Sequence, residues 1–68
     1  MKELSINTEY ITLSAALKFS NICMSGGEAK MAILDGLVSV NDEVCLMRGK
    51  KLRPGDRFSA FGESYVIV

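Results

Sequence analysis

The spacing of apolar residues changes from helical to alternating at Gly36. Before it, residues 13–17 and 29–33 carry apolar side chains three and four positions apart, which is typical of helices that bury one face. After it, residues 38–40 begin an alternation that is typical of strands. Because 68 residues form only one small core, we predict a single α+β domain over residues 1–68. It has two short helices packed on a small, mostly antiparallel sheet.

Both predicted helices have a start signal. Thr12 can cap the first helix, which we expect to end near Asn21. The sequence at residues 25–28 has the capping-box spacing, in which a serine accepts from a backbone N–H and a glutamate reaches back. The second helix is predicted to begin at one of the two glycines there and to end at Asp35. Gly36 then stands where a left-handed residue commonly closes a helix.

Turn residues divide the remaining chain into strands. A short strand is predicted near the start, and Asn41-Asp42 should connect a hairpin. Proline followed by glycine at residues 54 and 55 is the type II turn preference. The predicted strands cover residues 3–6, 38–40, 44–47, 58–61 and 65–68, with residues 62–64 as the last turn.

The charges are unevenly distributed although the net charge is zero. Residues 48–57 contain five basic side chains and one acidic side chain, whereas residues 1–47 contain three basic and six acidic ones. We call residues 48–53 the basic loop. A short basic run is ordinarily a solvated loop, so its interpretation depends on its neighbours.

The start of the second helix adds to this signal. Lys30 lies in the first turns of that helix, where the helix dipole disfavours a cation unless an anion lies nearby. Gly26 and Gly27 leave backbone N–H groups open to close approach, and such helix starts bind anions. A tight turn between helices would explain the glycines equally well. Together, the helix start and the basic loop are predicted to hold one phosphate backbone.

Three segments in succession carry a family resemblance. They are Ser25-Gly26-Gly27-Glu28-Ala29-Lys30, then residues 36–44, then Arg48-Gly49-Lys50-Lys51-Leu52-Arg53-Pro54-Gly55-Asp56. Their order and spacing resemble the S-four-like RNA-binding domain with its αL motif. The whole chain is similar to the small single-domain YaaA and YbcJ type of that superfamily. The resemblance implies binding of structured RNA, ribosomal or transfer RNA, directly or within a ribosome-associated complex.

The resemblance also assigns candidate residues by position. The second helix supplies the RNA contacts at its start, and the basic loop supplies the remainder. We add Lys18, from the outer face of the first helix. The candidate RNA-binding residues are Lys18, Ser25, Gly26, Gly27, Lys30, Arg48, Lys50, Lys51 and Arg53. Thr12 departs from the family pattern, in which an arginine is common near that point, so fewer phosphate contacts are expected.

Other classes of function have weaker support. The chain has no histidine, the commonest catalytic base, and its carboxylates are scattered, so we predict that it is not an enzyme and uses no cofactor or small-molecule substrate. Cys23 and Cys45 supply only two of the four ligands of a zinc site. We expect both to be reduced and largely buried, with a disulfide as second choice. No apolar stretch is long enough to cross a membrane, and we expect a cytoplasmic protein.

The competing hypothesis is a small adaptor that docks an acidic protein partner on the basic loop. Its adaptable apolar contact would be made by Met24, Met31 and Met47. Filling an irregular core is the more ordinary role for such methionines, and we favour it. The RNA-binding hypothesis makes a geometric prediction, that Lys30 and the basic side chains of the loop share one surface.

Overall fold

A computed structural model describes residues 1–68 and contains both predicted helices. Helix α1 spans Leu13–Phe19, and its capping residue Thr12 accepts a hydrogen bond from the Ala15 N–H at 3.3 Å. The helix ends two residues earlier than predicted, because Asn21 already has a left-handed backbone with φ of 64°.

Helix α2 spans Gly26–Leu34, and both of its predicted end signals are present. At the start, the Ser25 hydroxyl accepts from the Glu28 N–H at 3.2 Å. The Glu28 carboxylate reaches back to the Met24 N–H at 3.4 Å, one residue before the cap. At the end, Gly36 has φ of 75°, as the predicted left-handed terminator requires.

Seven strands form two sheets. They are β1 Lys2–Leu4, β2 Ile11–Thr12, β3 Val38–Val40, β4 Glu43–Val44, β5 Lys51–Leu52, β6 Arg57–Ala60 and β7 Glu63–Ile67. The larger sheet has the order β1-β7-β6-β3-β4, and the smaller one pairs β2 with β5. Only β1 and β7 run parallel to each other, so the predicted α+β class with a mostly antiparallel sheet is confirmed.

Two of the predicted turns are present in the structure, and a third lies at a different position. Asn41 and Asp42 both have positive φ, which closes the first hairpin, although the returning strand β4 is shorter than predicted. Gly55 has φ of 101°, as a type II turn requires. The last turn is Phe61–Gly62 rather than residues 62–64, because Ala60 pairs with Glu63 across the hairpin.

The core lies between the helices and the larger sheet. Its largest fully buried side chain is Phe58, which stacks on Tyr65 with 5.5 Å between the ring centroids. The helices contribute the predicted side chains, namely Leu13, Ala16, Leu17, Ala29, Ala32 and Ile33. Leucine, isoleucine, valine and alanine fill most of the remaining volume.

The predictions for the methionine and cysteine side chains need correction. Met24, Met31 and Met47 are 80%, 59% and 66% exposed, so the prediction that they fill the core is wrong. Aliphatic side chains already close the small core, and the methionines lie outside it. Both cysteines are free thiols, and Cys23 is buried as predicted. Cys45 follows the exposed edge strand β4 and is only half-buried, so the prediction of burial is wrong for it.

Candidate nucleic-acid interface

Backbone hydrogen bonds fix the basic loop against the start of α1. The N–H groups of Leu13 and Ser14 donate to the carbonyl oxygens of Lys50 at 2.8 Å and Arg48 at 3.1 Å. Immediately beyond, β2 pairs with β5, with Thr12 opposite Lys51. These bonds use only the loop backbone. The basic side chains are therefore carried on a fixed chain and remain free to contact a ligand.

A polar cleft separates this loop from the start of α2. It is lined by Thr12, Ser14, Ala15, Lys18, Gly26, Arg48 and Gly49. Only one of the seven lining residues is apolar, whereas small-molecule pockets are lined mostly by apolar side chains. Its two charged residues, Lys18 and Arg48, are both positive, and no carboxylate lines it. The cleft thus has the chemistry of an anion site.

The start of α2 reaches this cleft at Gly26. Ser25 caps the Glu28 N–H, but the N–H groups of Gly26 and Gly27 donate to no acceptor in the protein. A Cβ added to Gly26 would meet nothing within 4 Å, and its φ lies outside the left-handed region. The fold therefore does not require glycine at position 26. A ligand that approaches the backbone would explain it.

The remaining basic candidates lie around the cleft in different places. Lys30 is exposed on α2, and it lies one helical turn beyond Gly26 on the same face of the helix. Lys50 does not line the polar cleft. It lines a second groove, most of whose lining residues are apolar, with Val40, Asn41, Glu43, Val44, Cys45, Leu46 and Met47. The structure thus places Lys18, Gly26 and Arg48 together and Lys50 apart from them.

Lys51 and Arg53 gather around an aromatic ring. The Lys51 Nζ lies 4.9 Å from the centroid of the Tyr10 ring, and the Arg53 Cζ lies 5.9 Å from it. Both distances fall within the range of cation–π attraction. Tyr10 was not among the predicted residues. It meets Lys51 and Arg53 only through the pairing of β2 with β5, which the sequence did not reveal.

The salt bridges separate the basic residues into two groups. The chain has eight lysines and arginines. Lys2 pairs with Glu63 at 3.2 Å, and Arg57 pairs with Asp42 at 3.0 Å. The other six form no salt bridge, and they are the six basic residues among the candidates: Lys18, Lys30, Arg48, Lys50, Lys51 and Arg53.

The surroundings of Asp56 and Cys23 shift the pKa values of both groups. The Arg53 N–H donates to the Asp56 carboxylate at 2.8 Å, and this bond is the main reason why the pKa of Asp56 is lowered. The same bond fixes the backbone at the end of the basic loop. Burial, and after it the nearby Glu28 charge, raises the pKa of the Cys23 thiol.

No group of three or more histidine, cysteine, aspartate or glutamate side chains is placed to hold a metal ion. Neither helix has the length and apolar character that crossing a bilayer requires.

Comparison with known proteins identifies similar sequences. A family model described as the S4 domain matches residues 4–68. A protein of Bacillus subtilis (strain 168), described as a probable ribosome maturation protein RlbA, is 42% identical to this chain over 66 residues. The aligned segment covers 94% of this chain and 93% of that relative.

Proposed function

Because this chain belongs to the S4 domain family, we propose that it binds structured RNA across the polar cleft and the basic residues around it. The observation that carries the proposal is the cleft itself. Lys18 and Arg48 are its only charged residues, and the Gly26 N–H beside them has no acceptor in the protein. Cations and backbone donors at a helix start form an ordinary site for a phosphate group.

The surrounding residues extend this site into a track. Lys30 lies one turn along α2 from Gly26, and Thr12 connects the cleft to Lys51 across the β2–β5 pair. A phosphate backbone that enters at α2 therefore meets further cations on the loop side. Contacts of this kind fix the position of an RNA without reading its bases, which suits recognition of a folded shape.

The RNA that we propose is ribosomal, with transfer RNA as the alternative. Support comes from the description of the 42% identical relative as a probable ribosome maturation protein. The proposed role is that of a binding module without catalysis, acting on ribosomal RNA or on a particle that contains it.

Salt dependence tests the proposal directly. If about four of the six unpaired basic residues contact phosphates, the logarithm of the association constant should fall by about three units per tenfold rise in salt. The double variant Lys18→Ala/Arg48→Ala should reduce this slope by about two contacts, which is close to half. Both side chains are exposed, and the anchoring bond at Arg48 uses its carbonyl, so the fold should persist.

Two controls make the measurement decisive. Lys2→Ala removes a positive charge whose partner is Glu63, outside the proposed surface, and should leave the slope unchanged. Lys50→Ala/Lys51→Ala tests the loop separately from the cleft. Each protein is titrated against a folded ribosomal RNA fragment and a single-stranded control. A slope that Lys18→Ala/Arg48→Ala does not alter places the RNA elsewhere, and equal affinity for both RNAs excludes shape recognition.

Two surface features favour a second candidate function. The three exposed methionines, and the apolar groove beside Lys50, offer surface that a protein partner could cover. An adaptor that docks an acidic protein would bind unrelated polyanions as well as it binds folded RNA. The same titrations, repeated with heparin as competitor, therefore separate the two candidates.

A further inference from the structure

We propose that Tyr10 is a positioning residue of the RNA surface, which holds Lys51 and Arg53 in place for phosphate contact. The inference rests on the proposed function, and it assigns a role to a residue that is not among the predicted RNA-binding residues. The Tyr10 ring lies within 6 Å of both cationic groups. No other aromatic ring in the structure has two cations against it.

The backbone explains why these three side chains meet. Ile11 and Leu52 are paired across the small sheet, and both are buried. Because side chains alternate along a strand, their neighbours Tyr10, Lys51 and Arg53 lie on the opposite, outer face. Tyr10 is 39% exposed, so its ring contacts the cations at the surface rather than in the core.

The backbone of Lys51 and of Arg53 is fixed, so only their side chains keep conformational freedom. Lys51 is held by its pairing with Thr12, and Arg53 by its N–H bond to Asp56. Long cationic side chains lose conformational freedom when they bind a phosphate. Because the Tyr10 ring already restricts these side chains before RNA binds, they lose less conformational freedom on binding.

Contact with the ring leaves the cations able to bind. An ammonium group has three N–H donors and a guanidinium has five. A single ring face does not engage all of them, so donors remain for phosphate oxygens. A cation–π contact at an exposed site is strong enough to change a binding constant about two- to fivefold. The two cations share one ring, so their effects are not additive, and loss of the ring should weaken RNA binding about three- to tenfold.

The test compares two substitutions of Tyr10. Tyr10→Phe keeps the aromatic face, and the hydroxyl that it removes makes no hydrogen bond in the structure, so affinity should be unchanged. Tyr10→Leu keeps apolar bulk without the ring and should show the three- to tenfold loss. In the Lys51→Ala/Arg53→Ala background, Tyr10→Leu should cause no further loss, because the residues through which Tyr10 acts are absent.

Each contrary result has a distinct meaning. If Tyr10→Leu causes equal losses in the wild type and in Lys51→Ala/Arg53→Ala, Tyr10 contacts RNA directly or only supports the fold. If Tyr10→Leu binds RNA with wild-type affinity, Tyr10 has no role in binding. Either result overturns the inference. If the unaltered protein shows no salt-steep preference for folded RNA, the proposed function itself fails.

A second readout needs no RNA. The side-chain protons of Lys51 and Arg53 should show ring-current shifts in the wild type and Tyr10→Phe, and none in Tyr10→Leu. Unshifted protons in the wild type would also overturn the inference.

Discussion

Gly26→Ala should stabilise the fold and weaken RNA binding at the same time. Gly26 is the first residue of α2, with φ outside the left-handed region and open space around an added Cβ. Alanine therefore fits the folded state without strain, while it reduces the freedom of the unfolded chain. The same methyl group would stand in the polar cleft, beside the backbone N–H proposed to receive a phosphate.

The position of Gly26 at the start of α2 sets the expected size of the gain in stability and of the loss in RNA affinity. Replacing glycine by alanine at a compatible position stabilises by about 0.4–1 kcal/mol, and a position at the helix start falls near the lower value. For 68 residues, the unfolding entropy is about 140 cal/mol/K. A gain of about 0.5 kcal/mol thus raises Tm by about 4 °C. Loss of one charge-assisted hydrogen bond at an exposed site should weaken RNA binding about tenfold.

Thermal melts and RNA titrations on the same protein samples measure both effects. Gly36→Ala is the matched control, because the same chemical change at φ of 75° should cost about 1 kcal/mol and lower Tm by about 7 °C. It lies outside the cleft and should leave RNA affinity unchanged while the protein is folded. Gly27 also lies outside the lining, so Gly27→Ala should share the stabilisation with a smaller loss of binding. A lower Tm for Gly26→Ala would refute the conclusion that the backbone at position 26 accepts alanine without strain. An unchanged RNA affinity would refute the assignment of Gly26 to the RNA site.

The cysteines and Asp56 provide two further predictions. Cys45 should react with a thiol reagent in the native protein much faster than Cys23, which is 2% exposed and has a raised pKa; similar rates would contradict the burial of Cys23. The Arg53 N–H lowers the pKa of Asp56 below its ordinary value of 3.8. The contribution of Asp56 to stability is therefore full above about pH 4 and is lost as the pH falls through the lowered pKa. Asp56→Asn should flatten the pH dependence of the unfolding free energy below pH 4, and an unchanged curve would refute this assignment.

Local signals allowed much of the fold to be predicted. The cap at Ser25 and the left-handed terminator at Gly36 each act within a few residues, and together they set the bounds of α2. The last hairpin shows the limit of such signals. The small polar residues after Gly62 resembled a turn, but the pairing of Phe58 with Tyr65 fixed the register and placed Phe61 in the turn.

Contacts between distant residues could not be predicted in the same way. Strand β1 pairs in parallel with β7 at the other end of the chain, and no local pattern indicates a partner so far away. The candidate site shows the same division. Its basic residues were visible as a cluster in the sequence. Tyr10 was not, because its contact with Lys51 depends on a register between two short strands about forty residues apart.

A net charge of zero does not oppose RNA binding, because the field at the cleft is set by nearby charges. The structure measures 27 × 21 × 18 Å, whereas charges are screened over about 8 Å at physiological ionic strength. Glu63 and Asp42 are neutralised locally by Lys2 and Arg57, while Lys18 and Arg48 have no such partner. The charged residues that line the cleft are therefore all positive, even though the whole molecule is neutral. RNA affinity should therefore depend on which cation is removed, and two variants of equal net charge, Lys2→Ala and Arg48→Ala, should bind differently.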